Sequence, residues 1–550
     1  MRHFNFAAVV SIAVCVLGCG SRDSRLEADV TVVDIAPLGT DLAYLQSSGV
    51  LQRVNVVADV PKPETTKTNV RSGPWKLAKR PQPAGASVPE ELLVLSRGVT
   101  DTHGQVLEMP ALTAISVNNE ERVYELSQPN QRLRLSDDGN YAVLFDNPDF
   151  SNSDALLTNR NEIAIVDLSK APVKSDHGNP VIRTLDAVGG TPQDLWFANL
   201  NGIGNFVMFS FPKGVSLSQL TDPSDHGHKI ELTTWVPGAG SNLAPVADAK
   251  VDSDTGNTDT RKIYLRNDAS PDVQVISVSK DKDTGAIGVS QNTLTVGTSA
   301  PTDFLVYSLP VSATDPNSQS VSTRLLATVG KQVAVVAADS NTVTAVPISY
   351  LANHILPYTG TSPKDDTVKQ RALLYAPDQT GVTFVDLEDL EAKTTKALQA
   401  VDLGATLRSV LQLPSLPNSL VLFMNLGGVE VLDLQTRRWS PFGSNVAFTT
   451  TMVDPSQYRT WVAASGDDRV GYVNFDFGDL QAISDQPSLS IGNINLDDPI
   501  EHFFRIDSGG VKKGIVTHNR VGGSLTIFEA VKPERATSKK LEGFLLSNLL

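Results

Sequence analysis

A six-residue strand pattern closing on Asp-Leu recurs along this chain. Ile163-Ala164-Ile165-Val166-Asp167-Leu168 returns almost residue for residue as Val382-Thr383-Phe384-Val385-Asp386-Leu387 and as Val429-Glu430-Val431-Leu432-Asp433-Leu434. A weaker copy is Val470-Gly471-Tyr472-Val473-Asn474-Phe475, and looser ones span 273–278, 343–348 and 525–530. From Pro347 to Asp386, Asp433 and Asn474 the successive steps are 39, 47 and 41 residues. A period in the forties, with about four strands per unit, is what propeller blades produce, because one blade cannot bury its apolar face without the next. Hairpin chemistry agrees: Leu133 to Phe145 carries strand formers on both sides of Ser136-Asp137-Asp138-Gly139-Asn140, where Asp and Asn cap the backbone and Gly supplies positive φ. Helical periodicity is almost absent. These patterns predict an all-β chain folded as one β-propeller of seven blades, with eight as the nearest alternative. An array of β-sandwiches is the competing explanation.

The run Ser136-Asp137-Asp138-Gly139-Asn140-Tyr141-Ala142-Val143-Leu144-Phe145, followed by 162–170 and then 182–197, resembles blades of bacterial propellers of the YVTN and lactonase-like group. The resemblance covers roughly residues 110–535 and is strongest at 130–200 and 370–475. What it implies is structural. No blade carries the Gly-His and Trp-Asp pairs of the WD40 class, which disfavours that subtype.

An apolar run from Phe4 to Leu17 follows Arg2 and closes on Val16-Leu17-Gly18-Cys19. This resembles the bacterial lipobox, which implies cleavage before Cys19, lipidation of its thiol with acyl chains such as palmitate, and a membrane anchor. Gly20, in place of the Asp that favours inner-membrane retention, points by the same resemblance to the outer membrane, facing the periplasm or the surface. The apolar run falls short of the ~20 residues of a spanning helix. Cys15 and Cys19 are the two cysteines, so the processed chain would hold neither disulfide nor thiolate metal site. The expected organisation is a signal peptide at 1–18, an N-terminal strand and Pro-rich tether or strap at 19–91, and the propeller at 92–550. Val30-Thr31-Val32-Val33-Asp34-Ile35 also matches the repeated strand. It is predicted to close the ring by pairing near Leu525 to Phe528, with 58–91 as an external strap.

The formal charge of −15 argues against nucleic acid as a partner. The expected partners are the membrane, through the lipid, and a protein or glycan ligand. Among eight histidines, His226 and His228 alternate along an extended backbone and point the same way. With Asp222 or Asp225 they would offer nitrogen and oxygen ligands to zinc, although Asp176-His177-Gly178 repeats the string and suggests a pair of homologous turns. Asp252, Asp254 and Asp259 resemble a calcium loop, but Gly256, Asn257 and Ile263 depart from its pattern, and Asp281-Lys282-Asp283-Thr284-Gly285 repeats the motif as a hairpin turn. The chain is expected to need no cofactor, with calcium or zinc as the alternatives. Nucleophile elbow, Walker loop, His-Glu-x-x-His and haem motifs are absent. The sequence does not specify a reaction. It favours a binding or scaffolding module at the envelope over an enzyme; the alternatives are a lactonase-like or metal-dependent hydrolase on the central face, and a subunit of an envelope assembly complex.

Overall fold

The computed structural model describes residues 30–545 apart from 58–64, 84–87, 104, 147–158, 175–177, 186–190, 213, 221–228, 233–245, 253–258, 311–320, 339, 362–367, 392–396, 414–415, 426–427, 436, 438, 443–449, 455–458, 464–465, 467, 477–487, 509, 520–521 and 531–537. Its described residues form ten four-stranded antiparallel sheets and one two-stranded hairpin. Each large sheet is built from four strands in simple up-and-down order, save that the second accommodates the small hairpin, Val99–Thr100 with Val106–Glu108, between its second and third strands. The sheets are numbered here 1 to 10 along the chain. Sheet 1 opens with Val32–Leu38, sheet 2 with Pro74–Lys79, sheet 3 with Arg132–Leu135, sheet 4 with Asp194–Leu200 and sheet 5 with Val246–Val251. Sheets 6 to 10 open with Asp303–Pro310, His354–Thr361, Leu407–Leu413, Thr450–Asp454 and His502–Ser508.

The apolar faces lie between sheets. Shared buried clusters join sheets 1 through 8 in order, then sheet 9 to sheet 10. Sheet 10 in turn packs on sheet 1, through Leu42, Tyr44 and Val54 against Ile506, Ile515, Leu525 and Ile527. The last sheet thus packs on the first, and the fold is the all-β propeller expected from the sequence. First strands touch one another between sheets 1 and 2, along sheets 4 to 7 and between sheets 10 and 1, which places them innermost.

The described residues hold ten four-stranded sheets where seven or eight blades were expected, and the repeated strand accounts for the difference. Six of its seven copies are third strands, among them Glu162–Asp167, Gly381–Asp386 and Val429–Asp433. The copy at 343–348 overlaps the fourth strand of sheet 6, Thr342–Pro347, whose neighbouring third strand is Gln332–Ala337. Third strands in sheets 1, 2 and 4 end in Asn55, Ser116 and Gln219, so they carry no Asp to be recognised. In two copies the Asp caps the following turn: Asp167 Oδ1 accepts from Ser169 N at 3.0 Å and Asp433 Oδ1 from Gln435 N at 2.8 Å, while Asp386 binds Arg371 and Arg437. The following Leu168, Leu387 and Leu434 are buried in the inter-sheet clusters. Asp and Leu thus recur because one ends the strand and the other seals its junction.

The predicted hairpin at 133–145 is present as Arg132–Leu135 paired with Tyr141–Phe145, and Gly139 takes a φ of 69°. The strap reading of 58–91 is overturned. Thr65–Asn69 completes sheet 1, Pro74–Lys79 opens sheet 2, and the boundary set at residue 92 falls inside Glu91–Ser96. Likewise Val32–Leu38 hydrogen-bonds within its own sheet, to Asp41–Gln46, rather than to the C-terminal sheet. It does pack against sheet 10, face to face, through Val32 and Ile35. No helix among the described residues is long and apolar enough to cross a membrane.

Candidate functional site

A recurrent position near the start of the innermost strands locks neighbouring sheets together. Asp303 of sheet 6 accepts from its own neighbour Phe304 N at 2.7 Å and from Ile355 N of sheet 7 at 2.7 Å. Asp34 does the same in sheet 1, accepting from Ile35 N at 2.9 Å and from Leu77 N of sheet 2 at 3.0 Å. Sheet 3 uses a cation instead, with Arg132 Nη1 donating to Gln193 O of sheet 4. Such a clamp satisfies backbone N–H groups that an edge strand would otherwise leave to solvent.

Sheet 10 has His502 at this position. The strand register shows the equivalence: His502 pairs with Thr517 as Asp303 pairs with Thr328, and Glu501 N donates to Thr517 O as Thr302 N donates to Thr328 O. Among the described residues no hydrogen bond joins His502 to sheet 1. The seam between the last and first sheets is instead held by side chains and by the C-terminal segment. Gln52 Nε2 donates to Phe544 O at 2.6 Å, and the Tyr44 and Phe544 rings meet at 5.1 Å. Leu545 N and Gly543 N donate to the carbonyls of Gly522 and Gly523, each at 2.9 Å. Gly523 is required here: a Cβ would lie 2.8 Å from both Leu545 and Phe544 side chains, and its φ is +83°.

Beside this wedge the seam opens into a cleft of about 510 Å³, lined on one side by Val30, Val32 to Ile35 and Tyr44 and on the other by Glu501, His502, Phe504 and His518. A second cavity of about 290 Å³, lined by Gly466, Asp498 and Ile500, adjoins it and shares Glu501, His518 and Asn519. His518 is buried, with Nδ1 2.9 Å from Pro499 O and Nε2 2.8 Å from Thr526 Oγ1, so protein groups occupy both ring nitrogens. It serves as a wall and a brace rather than as a free base. The Tyr44 hydroxyl is buried and has no hydrogen-bond partner among the described residues. Burial, with the nearby Glu501 charge adding, pushes its phenol well above the usual tyrosine range, so the proton stays on. Glu501, His502 and Asn519 are exposed at the rim.

The sequence-derived candidates lie elsewhere. Cys19, Asp225, His226, His228 and Asp254 fall outside the described residues, as does Asp222. Asp252 Oδ2 accepts from Lys262 N at 3.2 Å while its Oδ1 faces Arg261 Nη1 at 3.8 Å, and Asp259 pairs with Lys282 at 2.6 Å. Each of these two carboxylates thus sits beside a cation of its own. The Asp281 turn is a hairpin, its Oδ1 accepting from Asp283 N and Thr284 N between Asp272–Lys280 and Ile287–Thr295. Among the described residues no three His, Cys, Asp or Glu side chains gather as metal ligands. Trp461 is fully buried among Tyr472, Phe503 and Phe528, where its ring packs the core. Sequence reasoning missed Tyr44, Glu501 and His502. The signal was present as His502-Phe503, standing where Asp194-Leu195, Asp248-Ala249 and Asp303-Phe304 begin their strands.

A separate surface feature is the small hairpin of sheet 2. Val99, Val106, Leu107 and Met109 on it are exposed, Leu107 by 65%. Four neighbouring apolar side chains in water mark a surface that is normally covered.

No protein-family model matches the chain, and no curated protein matches it. Among solved structures, it is similar to the dihydro-heme d1 dehydrogenase NirN in complex with DHE, at 12% identity and a TM-score of 0.35 over 84% of this chain and 76% of that one. A eukaryotic initiation factor is similar at 8% identity and TM-score 0.37, covering 93% of this chain and 97% of that one. Apo AztD from Citrobacter koseri is similar at 10% identity and TM-score 0.29, over 74% of this chain and 95% of that one. At TM-scores this low the likenesses carry no functional information.

Proposed function

We propose that this protein is an envelope-anchored lipoprotein whose propeller acts as a binding module, with the cleft at the seam between sheets 10 and 1 as its ligand seat. The observation that carries the reading is the chemistry of that cleft. Its buried histidine has both nitrogens committed to the protein, its tyrosine keeps its proton, and its rim offers exposed hydrogen-bonding groups on a rigid sheet scaffold. Such a site suits recognition of a ligand without changing its bonds. Cys19 would be the acylated residue and the outer membrane the destination, with a protein or a glycan as ligand.

Two experiments test this. Replacing Cys19 by Ser is expected to move the protein out of the membrane fraction and abolish acyl labelling; unchanged fractionation contradicts the anchor. A photo-crosslinking residue at Asn519 is expected to trap a partner in the intact envelope that the same residue at Asp283, in a remote turn, does not. Equal adducts from both positions contradict the seat. A second reading, a subunit of an envelope assembly complex, is favoured by the exposed apolar hairpin at 99–109. Crosslinks from Leu107 to another envelope protein, absent from Asn519, would select it.

A further inference from the structure

The seam cleft, read above as the ligand seat, has a definite chemical preference. Its lining contains the carboxylates of Asp34 and Glu501 and no lysine or arginine. Asp34 has both oxygens engaged by backbone N–H groups of Ile35 and Leu77. Glu501 is exposed at the rim, and among the described residues no cation pairs with it. The Tyr44 hydroxyl, buried beside this charge, has no partner among the described residues and has both a proton to give and an oxygen to accept with. Along one wall runs Val32–Leu38, an edge strand of sheet 1, and along the other His502–Ser508, an edge strand of sheet 10. Val30, Val32, Phe504 and Leu545 supply the apolar part of the lining.

These features ask for a ligand with an extended backbone, a cation and an aliphatic stem. We propose that the cleft binds an extended peptide segment of a partner protein through a lysine or arginine side chain. The stem lies along Phe504 and Leu545, the cationic head meets Glu501, and a peptide carbonyl accepts from the Tyr44 hydroxyl. Edge-strand backbone groups on the cleft walls give the peptide further hydrogen bonds, the mode by which many modules hold extended segments. A formal charge of −15 on the whole chain draws basic ligands and repels acidic ones. This inference rests on the cleft being the ligand seat.

The test uses the purified full-length protein and two labelled hexapeptides, Val-Lys-Val-Lys-Val-Lys and Val-Glu-Val-Glu-Val-Glu, followed by fluorescence anisotropy, with a neutral oligosaccharide as a third probe. The lysine peptide is expected to bind at least tenfold more tightly than the glutamate peptide. Glu501→Gln, a change at an exposed position, is expected to remove about tenfold of that affinity, and Tyr44→Phe about fivefold, with Glu501→Gln melting unchanged. Asn519→Trp, which fills the cleft from its rim, is expected to abolish binding. Equal affinity for the two peptides, or Glu501→Gln without effect, overturns the proposal. Oligosaccharide binding that Asn519→Trp abolishes, with no lysine preference, overturns the peptide class while leaving the seat in place. Binding of any probe that ignores Asn519→Trp overturns the seat as well.

Discussion

The junction between sheets 6 and 7 and the seam between sheets 10 and 1 solve one problem in two ways. At the first, Asp303 reaches across to Ile355 N at 2.7 Å, and a buried cluster including Tyr307, Leu326 and Leu374 fills the interface. At the seam, His502 stands in place of that aspartate, and closure falls to Gln52, Phe544 and Leu545 wedged beside Tyr44. The clamped junction binds its edge strands backbone to carboxylate. The seam leaves two edge strands unclamped and a cleft of about 510 Å³ between them. What the difference teaches is that a seam without a carboxylate clamp, closed by packing and by the Gln52 hydrogen bond to Phe544, can stay open enough to hold a ligand while the clamped junctions stay shut.

The largest effect is expected from the wedge. Phe544 is 1% exposed, so Phe544→Ala should cost about 3 to 5 kcal/mol by urea unfolding. A loss below about 1 kcal/mol would mean that the C-terminal segment does not close the ring. Next comes the clamp. Asp303→Ala leaves two backbone N–H groups without their acceptor and should cost about 2 kcal/mol, whereas His502→Ala should cost under about 0.5 kcal/mol. Similar losses at the two positions would erase the contrast between junction and seam. A further effect, smaller than that of the wedge or of Asp303, lies away from both. Burial pushes Glu430 from 4.5 up to about 7. The folded chain therefore binds the extra proton between those values, and its stability falls as pH rises through about 7. After allowance for solvent screening the loss is about 1 to 2 kcal/mol. Glu430→Gln should flatten the difference in unfolding free energy between pH 5 and pH 8; a slope identical to that of the parent contradicts the assignment.

The fold class was legible because the strand repeat is a physical necessity: a third strand must end, and its junction must be sealed. Asp167-Leu168 and Asp433-Leu434 do both in two residues, while at Asp386-Leu387 the leucine seals and the carboxylate binds Arg371 and Arg437, and so the repeat announces itself. Asn55, Ser116 and Gln219 end equivalent strands without the carboxylate, which hid three of the ten sheets seen among the described residues. Prolines between 58 and 91 read as a tether, yet Pro74 simply opens an edge strand, where its missing N–H costs nothing. The cleft was not legible. Tyr44 and Glu501 lie at opposite ends of the sequence and meet only because the last sheet packs on the first, and ordinary strand residues gain their chemistry from that packing alone.

The most direct test of the contrast is native-state hydrogen exchange of the innermost strands. Amides held by a clamp, Leu77 and Ile355, are expected to exchange only through global unfolding. Free-edge amides of His502–Ser508 are expected to open at free energies several kcal/mol lower, and to slow when the lysine peptide is bound. Equal protection at the seam and at the junction between sheets 6 and 7, unchanged by the peptide, would contradict the view that the clamped junctions are locked and the seam is not.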